Sequence, residues 1–362
     1  MIRINIALLL LLFTGAALAE PEKDVKPPPF VIGVWYQPAS SFLVWKTRGV
    51  NTVVGYESES NRMSIDDWTG SAATNGLFMI RQPHTNVEDD LKEPYLLAWM
   101  QADEPDVKNT EPEGLAANYT EWKKQAPKIP IFLNISGGNL LFQKTPRVIY
   151  EQYFKAADWI GNDFYPVTGW AQPTWLPRVG QAVDQCREIS GGKPQFAFIE
   201  TSNQQLAWLP KDVRGPTSAE MRAEIWNAVV HGAKGIVYFP QQFNPFKFDA
   251  TPADVSVQMS KQNRILTELG PILTLPANPK GMKVSVTAPL EAAWRKDDKG
   301  AYVIVLNLSD QPQKGQAIKL TGFPGGKAKL LNEEIRTVDL GNTGLIDDFG
   351  PYDVHVYKIG EP

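Results

Sequence analysis

Eight short apolar runs recur between residues 30 and 269, each followed by a stretch of helical character. The runs fall at 30–36, 50–56, 77–80, 96–106 (ending in three carboxylates and a proline), 129–134, 159–165, 194–201 and 235–239. A run of this length that is apolar on both faces and bounded by turn residues is how a parallel-sheet strand reads in sequence. Helix-like stretches lie at 40–48, 64–73, 110–125, 146–157, up to 189, from 217 and at 255–269, with only a weak one after the third run. Strict alternation of the two puts helices over the faces of a parallel sheet. Eight repeats across 30–275 match the size of a (β/α)8 TIM barrel, in the α/β class. An open doubly wound sheet is the competing architecture, but no G-x-G-x-x-G follows the first run.

Local signals support the helices. Thr110-Glu111-Pro112-Glu113 and Thr217-Ser218-Ala219-Glu220 both read as capping boxes, and Met221, Ile225 and Val229 then share one face. The texture changes after Pro276. Short β-rich segments at 283–287, 301–308, 316–320, 327–331 and 354–359, with a hairpin connection over 297–300, predict a small antiparallel β-sandwich accessory domain from 279 to 362.

Residues 1–19 have a basic start, a short apolar run and small residues ending at Ala19, the pattern of a cleaved signal peptide. Residues 20–29 form a charged, proline-rich leader. No cysteine stands at the cleavage point, so no membrane anchor is expected and the protein should be secreted or periplasmic. The single cysteine, Cys186, allows no disulfide within the chain, so the fold rests on its core. A net charge of −4 without a basic stripe argues against nucleic acid and anionic membranes. The 3 histidines are scattered, which disfavours a histidine zinc site. Neither metal nor cofactor is expected.

Catalysis in a (β/α)8 barrel sits where the strands end. Those ends collect Glu57, Arg81, Asp103, Glu104, Asp163 and Glu200. Trp35, Tyr36, Tyr165 and Tyr238 stand beside them, and Trp170, Trp175 and Trp208 follow in the loops. Carboxylates among flat aromatic faces suit a hydroxyl-rich ligand whose C–H faces stack on rings. His84 and Asn134 could add contacts. Strands four and seven face each other across a barrel, so Glu104 and Glu200 can converge on one bond. Retaining glycoside hydrolysis needs such a pair about 5–5.5 Å apart, one a nucleophile and one an acid, then base.

Asp103-Glu104-Pro105 and Ile199-Glu200-Thr201 resemble the strand-four and strand-seven motifs of the clan A retaining glycoside hydrolases. The resemblance implies that Glu104 is the acid/base, Glu200 the nucleophile and Tyr165 a nucleophile partner. It also implies an oligo- or polysaccharide substrate with β-linkages. The chain departs from the family pattern in having Asp103 where asparagine is usual and no evident strand-eight tryptophan; Arg81 is a candidate for the usual arginine. Two rival functions are weaker. A magnesium-dependent lyase or isomerase using Asp103, Glu104 and Asp163 would want a lysine or histidine base, and no lysine stands at a strand end. A non-catalytic carbohydrate-binding barrel would keep the aromatic residues without needing both glutamates.

Overall fold

The structure, a computed structural model, describes residues 25–56, 62–210, 212–332 and 335–360. The expected signal peptide and Glu57 lie outside the described residues.

Eight parallel strands close into a barrel in sequence order. They are β1 (Val31–Trp35), β2 (Thr52–Val54), β3 (Phe78–Arg81), β4 (Leu96–Met100), β5 (Ile131–Ser136), β6 (Trp159–Asp163), β7 (Gln195–Glu200) and β8 (Gly235–Phe239). Strands β1 and β8 pair through Val31 with Gly235 to Val34 with Tyr238, which seals the cylinder. The two-residue period of a strand then sorts side chains. Val54, Ile80, Met100, Phe132, Phe196, Phe198 and Val237 form one cluster, filling the barrel. Ile32, Val53, Met79, Ala197, Ile199, Ile236 and Tyr238 instead join the cluster built with the helices.

The helices are α1 (Phe42–Thr47), α2 (Ile65–Thr74), α3 (Val87–Leu91), α4 (Pro112–Gln125), α5 (Gly137–Leu141), α6 (Arg147–Lys155), α7 (Pro177–Ile189), α8 (Ser218–Val230) and α9 (Ala253–Leu273). The weak helix after β3 is real but only one turn and a half long, capped by the Asn86 side chain. The box at Thr217 forms, with Thr217 and Glu220 capping each other reciprocally. The box expected at Thr110 does not: Glu111 is the N-cap, and no side chain caps it. Proline at the first helical position needs no N–H partner, so this end tolerates the loss.

Further strands between Lys283 and Ile359 form antiparallel sheets of three and five strands. The connection after Asp297 is the expected tight hairpin, with Asp297 opposite Gly300. This domain has its own core around Trp294, Val303, Val305 and Tyr357. The opposite face, with Ala293, Ile304, Leu306, Val354 and Val356, packs against Ile225, Trp226 and Val229 of α8. The strand running from Leu290 to Asp297 carries most of the polar ties to the barrel. Arg295 donates to the Val229 carbonyl at 2.9 Å, and Glu291 accepts from Asn227 at 2.8 Å.

His231, at the end of α8, bridges Asp184 at 2.6 Å and Glu291 at 2.9 Å, joining barrel to sandwich. Burial alone would lower its imidazole, but the two carboxylates outweigh burial and hold it at about 9. A group raised in the folded state stabilises fully below its unfolded value, near 6.5, and loses that contribution as pH rises through about 9. Melting temperature should therefore fall between pH 6.5 and 9 more steeply in the parent than in His231→Gln. Parallel melting curves of the two proteins would refute this bridge.

Candidate active site

The site is built on the loop after β4. Glu104 adopts φ of 46°, a left-handed conformation that non-glycine residues enter only when the surroundings enforce it. Here the enforcement is visible. The Glu104 N–H donates to the Asn134 carbonyl on β5 at 3.1 Å. Two residues on, Asp106 accepts from the Ser136 N–H at 3.1 Å and from the Tyr150 hydroxyl at 2.9 Å. Asn134 donates its side-chain amide to Asp103 at 3.1 Å, and Lys108 donates to the Asp103 carbonyl at 2.6 Å. The loop is thus clamped onto β5 and α6.

A cavity of about 820 Å³ opens above it, within the range of small-molecule sites. Asp103, Glu104 and Asp163 all line it, with Asn134 and Tyr165 alongside. Three carboxyls this close cannot all ionise. Burial pushes the Glu104 carboxyl up, and the charges of Asp103 and Asp106 push it further; a hydrogen bond with Asp163 pulls it partly back, leaving it at about 7. Asp163, fully enclosed, rises well above the ordinary carboxylate range through burial and then through its bond and proximity to Glu104. Asp103 rises by burial, partly offset by Asn134 and Lys108. The pair Glu104–Asp163 therefore carries a shared proton at neutral pH.

Five side chains of the cavity wall keep a buried polar atom without a protein partner: Asn134 Oδ1, Asp163 Oδ1, the Tyr165 hydroxyl, Gln204 Nε2 and Gln241 Oε1. Buried polar groups are almost always satisfied, so five orphans around one cavity mark polar positions open to a ligand. Gln204 and Gln241 were absent from the sequence reading. The signal available was a glutamine doublet after each of β7 and β8, Gln204-Gln205 and Gln241-Gln242. Gln241 is fixed by donating to the Trp35 carbonyl at 2.7 Å, which aims its oxygen elsewhere.

Among the aromatic residues, Trp35, Tyr36, Trp170 and Trp208 line the cavity as expected. Trp170 lies flat on the backbone of Gly138, where a Cβ would come within 2.5 Å of its ring. Trp175 stays outside the lining, tilted against Trp170 at 6.0 Å between ring centres and covered by Arg178.

Four expected site residues stand elsewhere. Tyr238 points to the helix layer and donates to Asn263 at 2.7 Å, because its place on β8 has outward parity. Arg81 is fully buried and bonds Asp90 at 2.6 Å. Asp90 also accepts from the Trp99 indole at 2.7 Å and engages His84 at 2.9 Å. That network closes the barrel wall under α3, so neither Arg81 nor His84 faces the cavity. The reason is the acidic turn of α3, whose Asp90 competes for the guanidinium that a substrate would otherwise meet.

Glu200 is the fourth. It ends β7 but does not line the cavity and has no exposed surface. Its carboxylate accepts from the N–H groups of Val167 and Thr168 and from the Thr168 hydroxyl, each at 2.6 Å. Burial raises its pKa while these donors oppose the rise. Behind it, the Glu224 carboxyl of α8 is driven well above its usual value by burial, then by the charge of Glu200 and a hydrogen bond with it. Among the described residues, no group of histidine, cysteine and carboxylate side chains is disposed to hold a metal ion.

Residues 98–269 match the model of glycoside hydrolase family 42, described as beta-galactosidase, over just under half of the chain. No curated protein sequence matches the chain. Among solved structures, the GH42 beta-galactosidase Gan42B superposes with a TM-score of 0.61 at 10% identity, over 91% of this chain and 98% of its own. A catalytic mutant of Gan42B from G. stearothermophilus gives 0.58, also at 10% identity and over the same shares. AmyP in complex with maltose gives 0.58 at 8% identity, over 90% of this chain and 89% of its own. At such identities the structures speak for the shared fold; the family match adds that the segment from β4 through α9, which holds Glu104, Asp163 and Glu200, carries the glycosidase pattern. Over residues 98–269 the chain is thus similar to glycoside hydrolase family 42, on a closed eight-stranded barrel trailed by antiparallel sheets.

Proposed function

We propose that this enzyme is exported and hydrolyses β-linked glycosides, with oligo- and polysaccharides the first class to test, and that Glu104 is its general acid and then base. The observation that carries this is Glu104 itself: a cavity-lining carboxyl brought to about 7 and sharing a proton with Asp163. A catalytic acid works best with a pKa near the working pH. The basic start, apolar run and Ala17-Leu18-Ala19 support export.

Access and cost support one choice of partner carboxylate. For Glu200 to attack a sugar in the cavity, it would have to leave three donors. Hydrogen bonds to a charged group contribute roughly 1.5–3 kcal/mol each, so freeing all three costs on the order of 5–9 kcal/mol. Asp163 already faces the cavity and has one bond to break, to Glu104. The two carboxyls then part to the roughly 5–5.5 Å that retention needs as a sugar enters between them. We therefore assign Asp163 as the nucleophile. At rest Asp163 donates the shared proton toward Glu104; as substrate enters between them, Glu104 takes that proton up and Asp163 is left ionised. The Asp163 carboxylate then bonds the anomeric carbon as the glycosidic bond breaks, and the leaving oxygen takes the Glu104 proton. Water next gives its proton to Glu104 and its hydroxide to the anomeric carbon, which frees Asp163 with the original configuration retained.

Its strand position favours the second reading, in which Glu200 is the nucleophile, the role that the clan A resemblance implies for the residue ending strand seven. Azide separates the two. A small anion restores turnover when the missing side chain was the nucleophile, and it yields a glycosyl azide of inverted configuration. Rescue of Asp163→Ala but not Glu200→Ala, read by product NMR, supports the assignment; the reverse result replaces it.

A further inference from the structure

The two halves of the cavity differ in chemistry. Around Glu104 lie the carboxylates and the unpartnered atoms of Asn134, Asp163 and Tyr165. The other half is a ladder of rings running outward from Tyr165. Tyr165 and Phe239 stand 5.1 Å apart, and Phe239 and Phe243 6.1 Å apart. Phe243 on β9 (Gln242–Phe243) is paired directly with Phe246 on β10 (Phe246–Lys247), and Phe246 packs on Phe248 at 4.9 Å. Leu206 and Trp208, from the loop after β7, also line this half.

The phenylalanine rings offer no hydrogen-bonding atom, and among the described residues of this half only Gln204 and Gln241 keep an unpartnered buried polar atom. A sugar seated there would stack on the rings but leave most of its hydroxyls without a protein partner. An apolar group would gain about 25 cal/mol for each Å² it removes from water. The outer rungs are also left open: Phe243 is 48% exposed, Phe246 53% and Trp208 75%. Contiguous exposed apolar surface at the mouth of a cavity marks a binding surface rather than a core. The ladder begins at Tyr165, beside the reacting carboxylates, and ends in solvent. It therefore lies where one substituent of the cleaved bond must pass.

We propose that this wall receives the aglycone of the substrate, and that the aglycone is an alkyl or aryl group rather than a further sugar. This rests on the reading of Glu104 as the acid of a glycosidase. It narrows the substrate class to β-glycosides with an apolar leaving group, the sugar bonding the acidic half and the hydrocarbon lying along Phe239, Phe243, Phe246 and Phe248.

The test uses the full chain. A panel of 4-nitrophenyl β-glycosides first identifies the sugar accepted. Methyl, butyl and octyl β-glycosides of that sugar are then compared with its β-linked disaccharide. The expected result is a kcat/KM at least about tenfold higher for octyl than for methyl glycoside, with octyl also above the disaccharide. Phe246→Ser and, separately, Phe243→Ala should each reduce the octyl-to-methyl ratio several-fold; both positions are half exposed, so folding should survive. A flat alkyl series, a preferred disaccharide, or variants that leave the ratio unchanged would overturn the proposal. If no glycoside is cleaved, the glycosidase reading fails on its own. The wall is then judged by tryptophan fluorescence titrated with octyl and with methyl β-D-glucoside. Octyl binding that weakens in Phe246→Ser supports the wall, and equal responses to the two ligands overturn it.

Discussion

Exchanging Glu104 for glutamine is expected to lower kcat by about 10²–10⁴-fold on any substrate whose leaving group needs a proton. Glutamine keeps the shape and the neutral charge of the acid form but cannot give up a proton. The pH profile adds a signature that mere damage would not produce. Protonated Glu104 is the active form for the first step, so parent activity should fall as pH rises through about 7. That limb belongs to the Glu104–Asp163 pair and should disappear in the variant, whose residual rate would run flat across neutrality. Substrates with an activated leaving group, such as 2,4-dinitrophenyl glycosides, should lose much less. An unchanged limb at pH 7 in Glu104→Gln would assign the acid to another residue.

The second large effect contrasts two buried carboxylates. Glu200→Ala should destabilise the fold by about 3–5 kcal/mol, because it strands donors arranged around an anion. The N–H groups of Val167 and Thr168 and the Thr168 hydroxyl would all lose their acceptor, and the buried Glu224 would face an empty space. Asp163→Ala should do the opposite. It removes a carboxyl that crowds two others, so stability should hold or rise while turnover collapses by at least about 10³-fold and returns with azide. Urea denaturation and initial rates on the same two proteins measure both halves. A Glu200→Ala protein as stable as the parent but inactive would restore Glu200 to the reaction.

The barrel was legible because burial on both faces leaves a strong trace. Runs such as residues 196–199 and 235–239 can hardly be anything but interior strands, and the order of elements follows from their alternation with helices. Glu104 was legible for a related reason, since three acids and a proline cannot continue such a strand. What could not be read is where a side chain at the last strand residue turns. Glu200 sits at a terminus, where the two-residue period no longer binds, and its direction is set by the loop after β6 and by α8, dozens of residues away. Arg81 was misplaced by the same limit. Its partner Asp90 lies in a short helix with a weak sequence signature, and only folding brings the two together. Tyr238 was a different error, one of parity, which counting from Val237 inside the barrel could have caught. The phenylalanine ladder escaped notice because neither β9 nor β10 exceeds two residues.

The inverted backbone at Glu104 has a consequence for how this protein can be made hardier. The residue is kept in a twist that only glycine accepts freely, and its carboxyl is pressed against like charges. Glu104→Gly should relieve both tensions at once and melt at a higher temperature than the parent, while cleaving nothing. Heat resistance and turnover would then pull in opposite directions at a single position, and any lineage selected for endurance alone would be expected to discard its acid first.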